Sequence, residues 1–531
     1  QGNLNTAGYV AFSTYTSIPS SRIQVEAGSF NTSRILLMLD LQKKNKAKHQ
    51  AYLASEYNYT NGPTENKQHF NRLNVFGKFQ YTLSSRTTLE ASASAFNSGW
   101  DASGQIPERA LKNAIINRFG SIDPSEGGQT SRYNANIIFR HRYPSGTVIE
   151  SQAFYSMYQF NLFSNFTFFL VDTINGDGIN QSEGRHILGM QTKLTRKYFF
   201  RNLTLQSSYG TGVRSDIIQD SRLTKSVKRQ LMEDYQRGNI RETNWFGYMQ
   251  QQWQTGHWLF EGGLRYDLFT AAYENKLSSS QYPSRQSGIL SPKLNIQYTV
   301  NPAWQVYLKA GKGFHSNDAR VVVVKGGKDI LPAAYSADLG FILKPSARSL
   351  VQVAAWQMNL QQEFIYVGDA GIVEPGGRTK RTGLDIIARY QFTSKIFANL
   401  NVNFTRPRAI DEPKGMDFIP LAPTVTSIGG LFYKPKTGLN GSIHYRFIKN
   451  RAANEDYSVT AKGYFILDAS LNYSKKSYEL GLSVENMLNA KWNEAQFDTE
   501  SRLQQEPSPI KELHFTPGTP FFARIKLAVF F

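Results

Sequence analysis

The clearest pattern along the chain is an alternation of apolar and polar residues with a period of two, which is typical of β-strands. In the segment 521–531, one face would carry Phe521, Ala523, Ile525, Leu527, Val529 and Phe531, and the other Phe522, Arg524, Lys526, Ala528 and Phe530. Both cations fall on the second face, which fits a strand with lipid on one side and water on the other. The same alternation recurs at 73–83 and 478–485.

The connections between these alternating segments differ in length. Short polar turns are expected at 143–146, 301–303, 344–349, 393–395, 434–438 and 475–477, and long loops at 99–132, 171–186, 218–239, 316–333, 405–423 and 490–520. Short turns on one side and long loops on the other are typical of an outer-membrane barrel. The pattern predicts an all-β chain, a transmembrane antiparallel up-and-down β-barrel of about 22 strands over 21–531, with the last strand descending.

The composition agrees with this prediction. Mean hydropathy is only −0.42, and aromatic residues make up 13% of the chain. No segment approaches the run of about 18 apolar residues that a membrane helix needs. There is no cysteine, and the formal net charge is +19. Because the basic residues are spread along the whole chain, they favour lipopolysaccharide and outer-membrane lipid as partners over nucleic acid.

Several motifs, in their order along the chain, resemble the barrel of a TonB-dependent outer-membrane receptor. They are the segments 3–10, 263–267, 291–294, 311–318 and 484–489, followed by the terminal Phe531. The segment 3–10 is similar to the last strand of that family's plug domain, so residues 1–20 are expected to be the remnant of that strand and a linker. The resemblance implies a plug and an energy-coupling box upstream, through which a TonB-type protein of a Gram-negative cell would act.

The resemblance also implies a function. The barrel would bind a scarce solute, with a siderophore or another metal chelate favoured, and import it with energy from the inner membrane; a surface lipoprotein is a further expected partner. A passive porin-like channel and a structural barrel subunit of a larger envelope complex are the alternatives. No metalloprotease, nucleophile-elbow or phosphate-loop motif occurs in the sequence, so an enzyme is not expected.

Candidate ligand-binding residues come from the predicted loops. They are Trp100, Arg109, Arg132, Arg185, His186, His315, Asp318 and Arg320. Guanidinium groups suit carboxylate or phosphate on a ligand, and imidazoles suit a metal; rim salt bridges and surface hydrogen bonds are the alternatives. Arg214 belongs with the arginines, and His69 and His514 with the histidines. A helix is expected over 107–119, either as a lid over the ligand or as a loop-packing element.

One predicted loop is rich in oxygen ligands. Asp172, Asn175, Asp177 and Glu183 lie close together in a segment that also contains two glycines. The spacing is similar to that of a calcium loop but misses the EF-hand pattern by about one residue. The segment therefore predicts either a Ca²⁺ site or an ordinary hairpin loop.

Overall fold

A computed structural model describes residues 10–42, 48–326, 329–367 and 372–531. Its main element is a single antiparallel sheet of 22 strands, which confirms the predicted fold class and strand number. The barrel strands are β1 Arg22–Gly28, β2 Thr32–Asp40, β3 His49–Thr60, β4 Phe70–Ser84, β5 Thr87–Asp101, β7 Gly127–Arg142, β8 Val148–Ser164, β9 Ile179–Phe199, β10 Thr204–Val227, β11 Gln230–Thr255, β12 Trp258–Asn275, β13 Arg285–Asn301, β14 Trp304–Phe314, β15 Ala333–Ser346, β16 Ser349–Leu360, β19 Thr379–Gln391, β20 Ile396–Ala409, β21 Val425–Tyr433, β22 Gly438–Ile448, β25 Tyr464–Ser474, β26 Tyr478–Glu485 and β29 Phe522–Phe530.

The remaining elements lie in the connections between barrel strands. They are β6 Ile106–Pro107, β17 Phe364–Val367, β18 Ile372–Pro375, β23 Arg451–Ala452, β24 Thr460–Ala461, β27 Asn493–Ser501 and β28 Ile510–Pro517, with the helices α1 Glu108–Lys112 and α2 Ala319–Val324. Within the described part of the chain, neither helix has the length and apolar character needed to cross a membrane.

The barrel closes where the first strand meets the last. β1 pairs with β29 along its whole length, from Arg22 opposite Phe530 to Gly28 opposite Arg524. Below this ladder, the backbone groups of Ser21 and Phe531 exchange two hydrogen bonds of 3.0 Å. We call this the lower end of the barrel, and the opposite end the mouth. Closure leaves no edge strand, so backbone groups within lipid have partners.

The two faces of the terminal strand are those expected from its alternation. Ile525 is 62% exposed on the outer wall, whereas Ala528 is 1% exposed on the inner wall. Arg524 forms an ion pair with Glu26 at 3.0 Å, and Lys526 forms one with Glu479 at 2.7 Å. The predicted division into a lipid face and a polar face is therefore confirmed.

The inner wall is held together by ion pairs between neighbouring strands. Arg34 contacts both Glu26 and Glu56, and Arg72 approaches Glu56 to 2.5 Å. Buried charges are tolerated where each one has an opposite partner. These ladders replace the apolar core of a soluble domain.

Lower connections are short, as predicted; those between consecutive described strands include 85–86, 143–147, 200–203, 256–257, 302–303, 347–348, 392–395, 434–437 and 475–477. Upper connections are long, with two exceptions at 29–31 and 228–229. The expected loop 218–239 is wrong, because β10 and β11 continue as one hairpin to Lys228 and Arg229, whose φ angles are +48° and +66°. Positive φ at both turn residues gives a tight hairpin even without glycine. The expected loop 171–186 is also too long, since β9 begins at Ile179.

The N-terminal segment contacts the inner wall of the barrel. Residues 10–20 form no strand, and the Lys78 ammonium donates a hydrogen bond of 3.0 Å to the Thr14 hydroxyl. Lys78 also pairs with Glu90 across β4 and β5 at 2.8 Å. The motif 3–10 lies outside the described residues apart from Val10, so the plug-strand assignment of residues 1–20 stays a prediction.

The two faces of β22 allow a matched test of barrel orientation. Ile443 is 47% exposed on the outer wall, and its neighbour Ser442 faces the lumen, where it bonds Ser470 at 2.9 Å. We expect Ile443→Arg to lower the free energy of unfolding in lipid vesicles by about 2–4 kcal/mol, because it places a charge near the bilayer midplane. Ser442→Arg is the control, and it should lower the free energy of unfolding much less because residue 442 faces the polar lumen. Equal losses in urea titrations would contradict this orientation.

Candidate functional site

The mouth of the barrel is covered by loops that form a sheet of their own. β28 pairs with β27 and also with β6, which lies about 400 residues earlier in the chain, at His514 opposite Pro107 and Phe515 opposite Ile106. Phe168 from a third loop is fully buried in the same region and packs with Ala110 and Leu503. We call these three packed connections, 102–126, 165–178 and 486–521, the roof.

Arg109 lies inside the roof. It is 7% exposed, and its guanidinium donates to Glu506 at 2.6 Å and to Glu512 at 3.0 Å. A third contact of 3.1 Å reaches the Ser501 carbonyl oxygen. Because both carboxylates come from the last long connection, Arg109 joins two loops. This placement favours the loop-packing alternative for the predicted helix.

The helix itself is shorter than predicted. α1 ends at Lys112, and Ala114 has a φ of +54°, which does not continue a right-handed helix. Pro107 is the residue before the first helical turn. Arg118, expected on the same helix, donates instead to the Trp492 carbonyl oxygen at 2.6 Å. The expectation of a helix over 107–119 is therefore wrong beyond its first turn, because tertiary contacts in the roof redirect the chain.

The four histidines that were expected in loops have different surroundings. His514 is fully buried, accepts or donates a 2.9 Å hydrogen bond with the Ser501 hydroxyl, and stacks on Phe168. His69 pairs with Asp101 at 3.0 Å. His315 is 1% exposed at the start of the connection that carries α2. Among the described residues, no three His, Asp or Glu side chains converge on a possible metal position.

The structure brings two of the predicted ligand residues into one row on the inner wall. Arg132 in β7 lies opposite Tyr158 in β8, which in turn lies opposite Arg185 in β9. We call Arg132, Tyr158 and Arg185 the inner-wall row. Side chains directly opposite on adjacent strands are about 5 Å apart at Cβ, so the row forms one continuous surface. Phe160 extends it towards the mouth, with its ring 6.3 Å from that of Tyr158.

The two arginines of the row differ in their partners. Arg185 pairs with Glu183 at 3.0 Å and approaches Asp216 to 3.9 Å. Arg132 donates to the Ser156 hydroxyl at 3.1 Å and to the Asn134 side chain at 3.2 Å. It is exposed, and no carboxylate of the described residues forms an ion pair with it. Arg132 is therefore the member of the row whose charge is available to a ligand.

A second group of predicted residues lies beside the row. Arg320 pairs with Asp318 at 2.6 Å on the connection between β14 and β15, and its charge also interacts with Glu183. Arg214 holds Asp216 through two 2.7 Å hydrogen bonds. Together with Arg185 and Glu183, these groups form a network of ion pairs between β9, β10 and the connection that carries α2. The charge of Glu242 in β11 acts on the same network.

An apolar cluster positions α2 against this network. Val322 and Val323 pack with Ile240 and Phe269, which face inwards from β11 and β12. Each of these four side chains is at most 6% exposed. The connection 315–332 therefore folds into the mouth of the barrel and fixes Asp318 at the start of α2, where its carboxylate accepts from the Arg320 backbone N–H.

His186 lies on the opposite side of the wall from Arg185. It stacks with Tyr155 and hydrogen-bonds the Tyr155 hydroxyl at 2.7 Å, and Tyr155 is 37% exposed on the outer surface. Adjacent residues of a strand point to opposite faces. A ligand in the lumen would therefore lie on the side of Arg185 and not on the side of His186.

Trp100 lines a small cavity above the row. The cavity has a volume of about 200 Å³ and is lined by Trp100, Gly128, Gln129, Asn161, Phe163 and Arg229. Arg229 comes from the tip of the β10–β11 hairpin and pairs with Asp101 at 2.6 Å. A larger groove of about 360 Å³ runs between outward-facing Leu431, Ile443 and Leu471, so it belongs to the membrane surface.

The predicted calcium loop is built by internal hydrogen bonds. Asp177 accepts from the backbone N–H groups of Leu170, Val171 and Asp172. Asp172 pairs with Lys225 and also accepts from the side chain of Asn175 at 3.2 Å. Glu183 lies apart from these residues, in β9, with Arg185. These contacts agree with the hairpin-loop alternative, and calcium at this loop stays a prediction.

Sequence reasoning missed the aromatic and acidic members of the inner wall. Tyr158, Phe160 and Asp216 were not among the expected residues, and neither was Arg229. The alternation within β8 could have identified Tyr158 and Phe160, because they lie two and four residues after the lumen-facing Ser156 and so point to the same side. No comparable signal exists for Arg229, because its position depends on the length of a hairpin.

A closed barrel with a polar inner wall, short turns at one end and long loops at the other is the architecture of an outer-membrane barrel protein. A family model described as "TonB dependent receptor-like, beta-barrel" matches residues 39–487. The chain therefore belongs to the TonB-dependent receptor family. Its members are transport receptors of the Gram-negative outer membrane, so this protein is located there and is not an enzyme.

Solved structures of similar fold are numerous, whereas no curated protein sequence matches the chain. The ferric citrate transporter FecA has a TM-score of 0.80 and 14% identity, over 96% of this chain and 78% of its own. The ferric yersiniabactin uptake receptor FyuA from Yersinia pestis has a TM-score of 0.78 and 12% identity, over 98% of this chain and 81% of its own. The copper transporter OprC has a TM-score of 0.73 and 12% identity, also over 98% of this chain and 81% of its own. At these identities the likeness concerns the fold.

The roof should loosen as the pH falls. Burial, followed by the charge of Arg109, lowers the pKa of His514 from 6.5 to about 3. The unfolded segment therefore binds a proton below pH 6.5 while the folded roof does not, and stability falls from pH 6.5 down to about 3. At pH 5 we expect a loss of about 2 kcal/mol in the opening free energy of β28.

Hydrogen exchange of β28, corrected for the intrinsic pH dependence of exchange, measures this loss. His514→Gln cannot take up a proton, so its opening free energy should stay constant between pH 7 and pH 5. The same pH response in the variant and in the natural chain would show that another group is responsible.

Proposed function

We propose that this protein is an energised outer-membrane receptor that binds an anionic metal chelate, such as a ferric siderophore, at the inner-wall row and imports it. Membership of the TonB-dependent receptor family carries the proposal of active import. The similar folds of a ferric citrate transporter and a ferric yersiniabactin uptake receptor support a chelate as the substrate class. A shared fold alone does not define a ligand, so the proposed substrate class also rests on the residues of the row.

The chemistry of the row suits a flat, negatively charged ligand. A guanidinium presents donors in a plane that matches a carboxylate or a catecholate, and an aromatic ring adds a stacking surface. Arg132 supplies an uncompensated positive charge, and Tyr158 and Phe160 lie beside it. Arg185 would exchange part of its contact with Glu183 for the ligand. A chelate entering under the roof would meet these groups first on the β7–β9 side.

Import needs a second component, since the barrel wall performs no energy conversion. We propose that a TonB-type energy-coupling protein acts through the part of the receptor N-terminal to the barrel. The contact of Thr14 with Lys78 supports this route, because it directs the chain from the lumen towards β1. Movement of that N-terminal part would break contacts with the ligand and release it.

Charge removal in the row tests the substrate class. We expect Arg132→Gln to weaken binding of ferric citrate or a ferric catecholate by at least about tenfold, since a charged hydrogen bond contributes about 1.5–3 kcal/mol. Arg378→Gln is the matched control, because Arg378 lies in an outer loop and is already paired with Asp411 at 2.5 Å. Quenching of Trp fluorescence in detergent micelles gives the affinity. Equal affinities of both variants for every chelate would refute the assignment of the row.

Uptake measurements separate import from the alternatives. Cells that depend on the full-length receptor should accumulate chelated iron only while the inner membrane is energised. A passive porin would continue uptake after an uncoupler is added, and a structural subunit would support none. Either result would reject the proposed function without depending on the row variants.

A further inference from the structure

Glu126 is the most deeply buried uncompensated acid in the described outer loops, at the junction of the roof and β7. Only 6% of the residue is exposed, and its Oε1 atom is buried without a hydrogen-bond partner. The carboxylate lies against Gly104, where a Cβ atom would come within 1.9 Å of Oε1. Gly104 also has a φ of +67°, so the backbone there is shaped to admit the carboxylate.

Two more buried oxygen atoms without partners belong to residues that adjoin the contacts of Glu126. The Ser103 and Ser164 hydroxyls are both buried and make no hydrogen bond. Ser103 precedes Gly104, which Glu126 touches. Ser164 precedes Asn165, whose backbone N–H donates to the Glu126 carboxylate. Buried polar groups are nearly always satisfied in proteins, so the unsatisfied oxygens of Ser103, Glu126 and Ser164 require a partner such as a bound ion.

A second carboxylate faces the same place. Asp123 accepts a 2.9 Å hydrogen bond from the Asn165 side chain, and its charge acts directly on Glu126. Burial, and then the charge of Asp123, raises the pKa of Glu126 to about 8. Arg229 donates to the backbone carbonyl oxygen of Glu126 at 2.8 Å, but its ion pair is with Asp101. Nothing among the described residues neutralises the two acids.

We propose that Glu126 and Asp123, with the hydroxyls of Ser103 and Ser164, bind a Ca²⁺ ion. Calcium takes six to eight oxygen ligands in flexible geometry, and carboxylates, hydroxyls, carbonyls and water all serve. Mg²⁺ requires a near-ideal octahedron and fits such an irregular set less well. This site is distinct from the calcium loop expected at 172–183.

The ion would tie together three parts of the mouth. Ser103, Asp123 and Glu126 belong to the connection 102–126, and Ser164 ends β8. The carbonyl oxygens of Ser125 and Glu126 hold Arg229, at the tip of the β10–β11 hairpin. Calcium at Glu126 would therefore order the connection that carries Arg109 and the cavity beside Trp100, independently of which solute the receptor imports.

Calorimetric titration of the detergent-solubilised protein with CaCl₂ tests the site. We expect one Ca²⁺ per chain with a Kd on the order of 10⁻⁴ M, as in extracellular calcium modules, and much weaker binding of MgCl₂. Glu126→Gln keeps the shape but removes one ligand charge, so it should weaken binding at least about tenfold. Asp123→Asn should also weaken Ca²⁺ binding, and it provides the test if the Glu126→Gln variant does not fold.

Asp172→Asn is the control, because Asp172 belongs to the earlier calcium candidate and its carboxylate already pairs with Lys225. It should bind Ca²⁺ like the natural chain. Unchanged affinity in both site variants, or a loss confined to Asp172→Asn, would overturn the assignment. Absence of Ca²⁺ binding by the natural chain would also overturn it and leave ordered water as the partner of these oxygens. None of these results bears on chelate uptake.

Discussion

The structure depends on the backbone pairing between β1 and β29. In lipid, a polypeptide has no water to satisfy its N–H and C=O groups, so a sheet that crosses the membrane must close on itself. Here closure joins residues at opposite ends of the barrel sequence, down to the hydrogen bonds between Ser21 and Phe531. Once the ring is closed, each strand has one side towards lipid and one towards the lumen, and all other features of the protein follow from that division.

The lumen side carries the charges, and their arrangement separates structural from functional residues. Glu26, Arg34 and Glu56 neutralise one another across adjacent strands, as Arg185, Arg214 and Asp216 do nearer the mouth. Such groups stabilise the wall because removing one partner leaves a buried charge. Arg132 differs from these paired arginines because its hydrogen-bond partners are neutral. This difference is the reason that Arg132 is proposed to bind the ligand.

The roof differs from the barrel in the kind of contact that holds it together. Solved structures with 12–14% identity share the barrel, so its geometry tolerates nearly any sequence of suitable alternation. The roof depends instead on single contacts between distant loops, such as Arg109 with Glu506 and β6 with β28. These contacts bury His514 in a position where it cannot take up a proton at low cost. The roof thus covers the entrance of the barrel, whereas the residues proposed to bind the solute lie on the strands β7, β8 and β9 below it.

The sequence by itself determined the barrel, its strand number, the direction of the last strand and the lipid-facing residues. These properties are local, because a period of two in residues such as Ile525 and Leu527 assigns each side chain to a face whatever the rest of the chain does. The sequence also indicated Arg132 and Arg185 as candidate ligand-binding residues, and both lie on the inner wall. It indicated His186 as well, although the alternation within β9 places that residue on the outer wall. Only the tertiary structure decided that 218–239 is a hairpin, that Arg109 is internal and that Arg229 reaches Asp101. Those outcomes depend on contacts between residues far apart in the chain, and no local pattern encodes which loops will meet above the barrel.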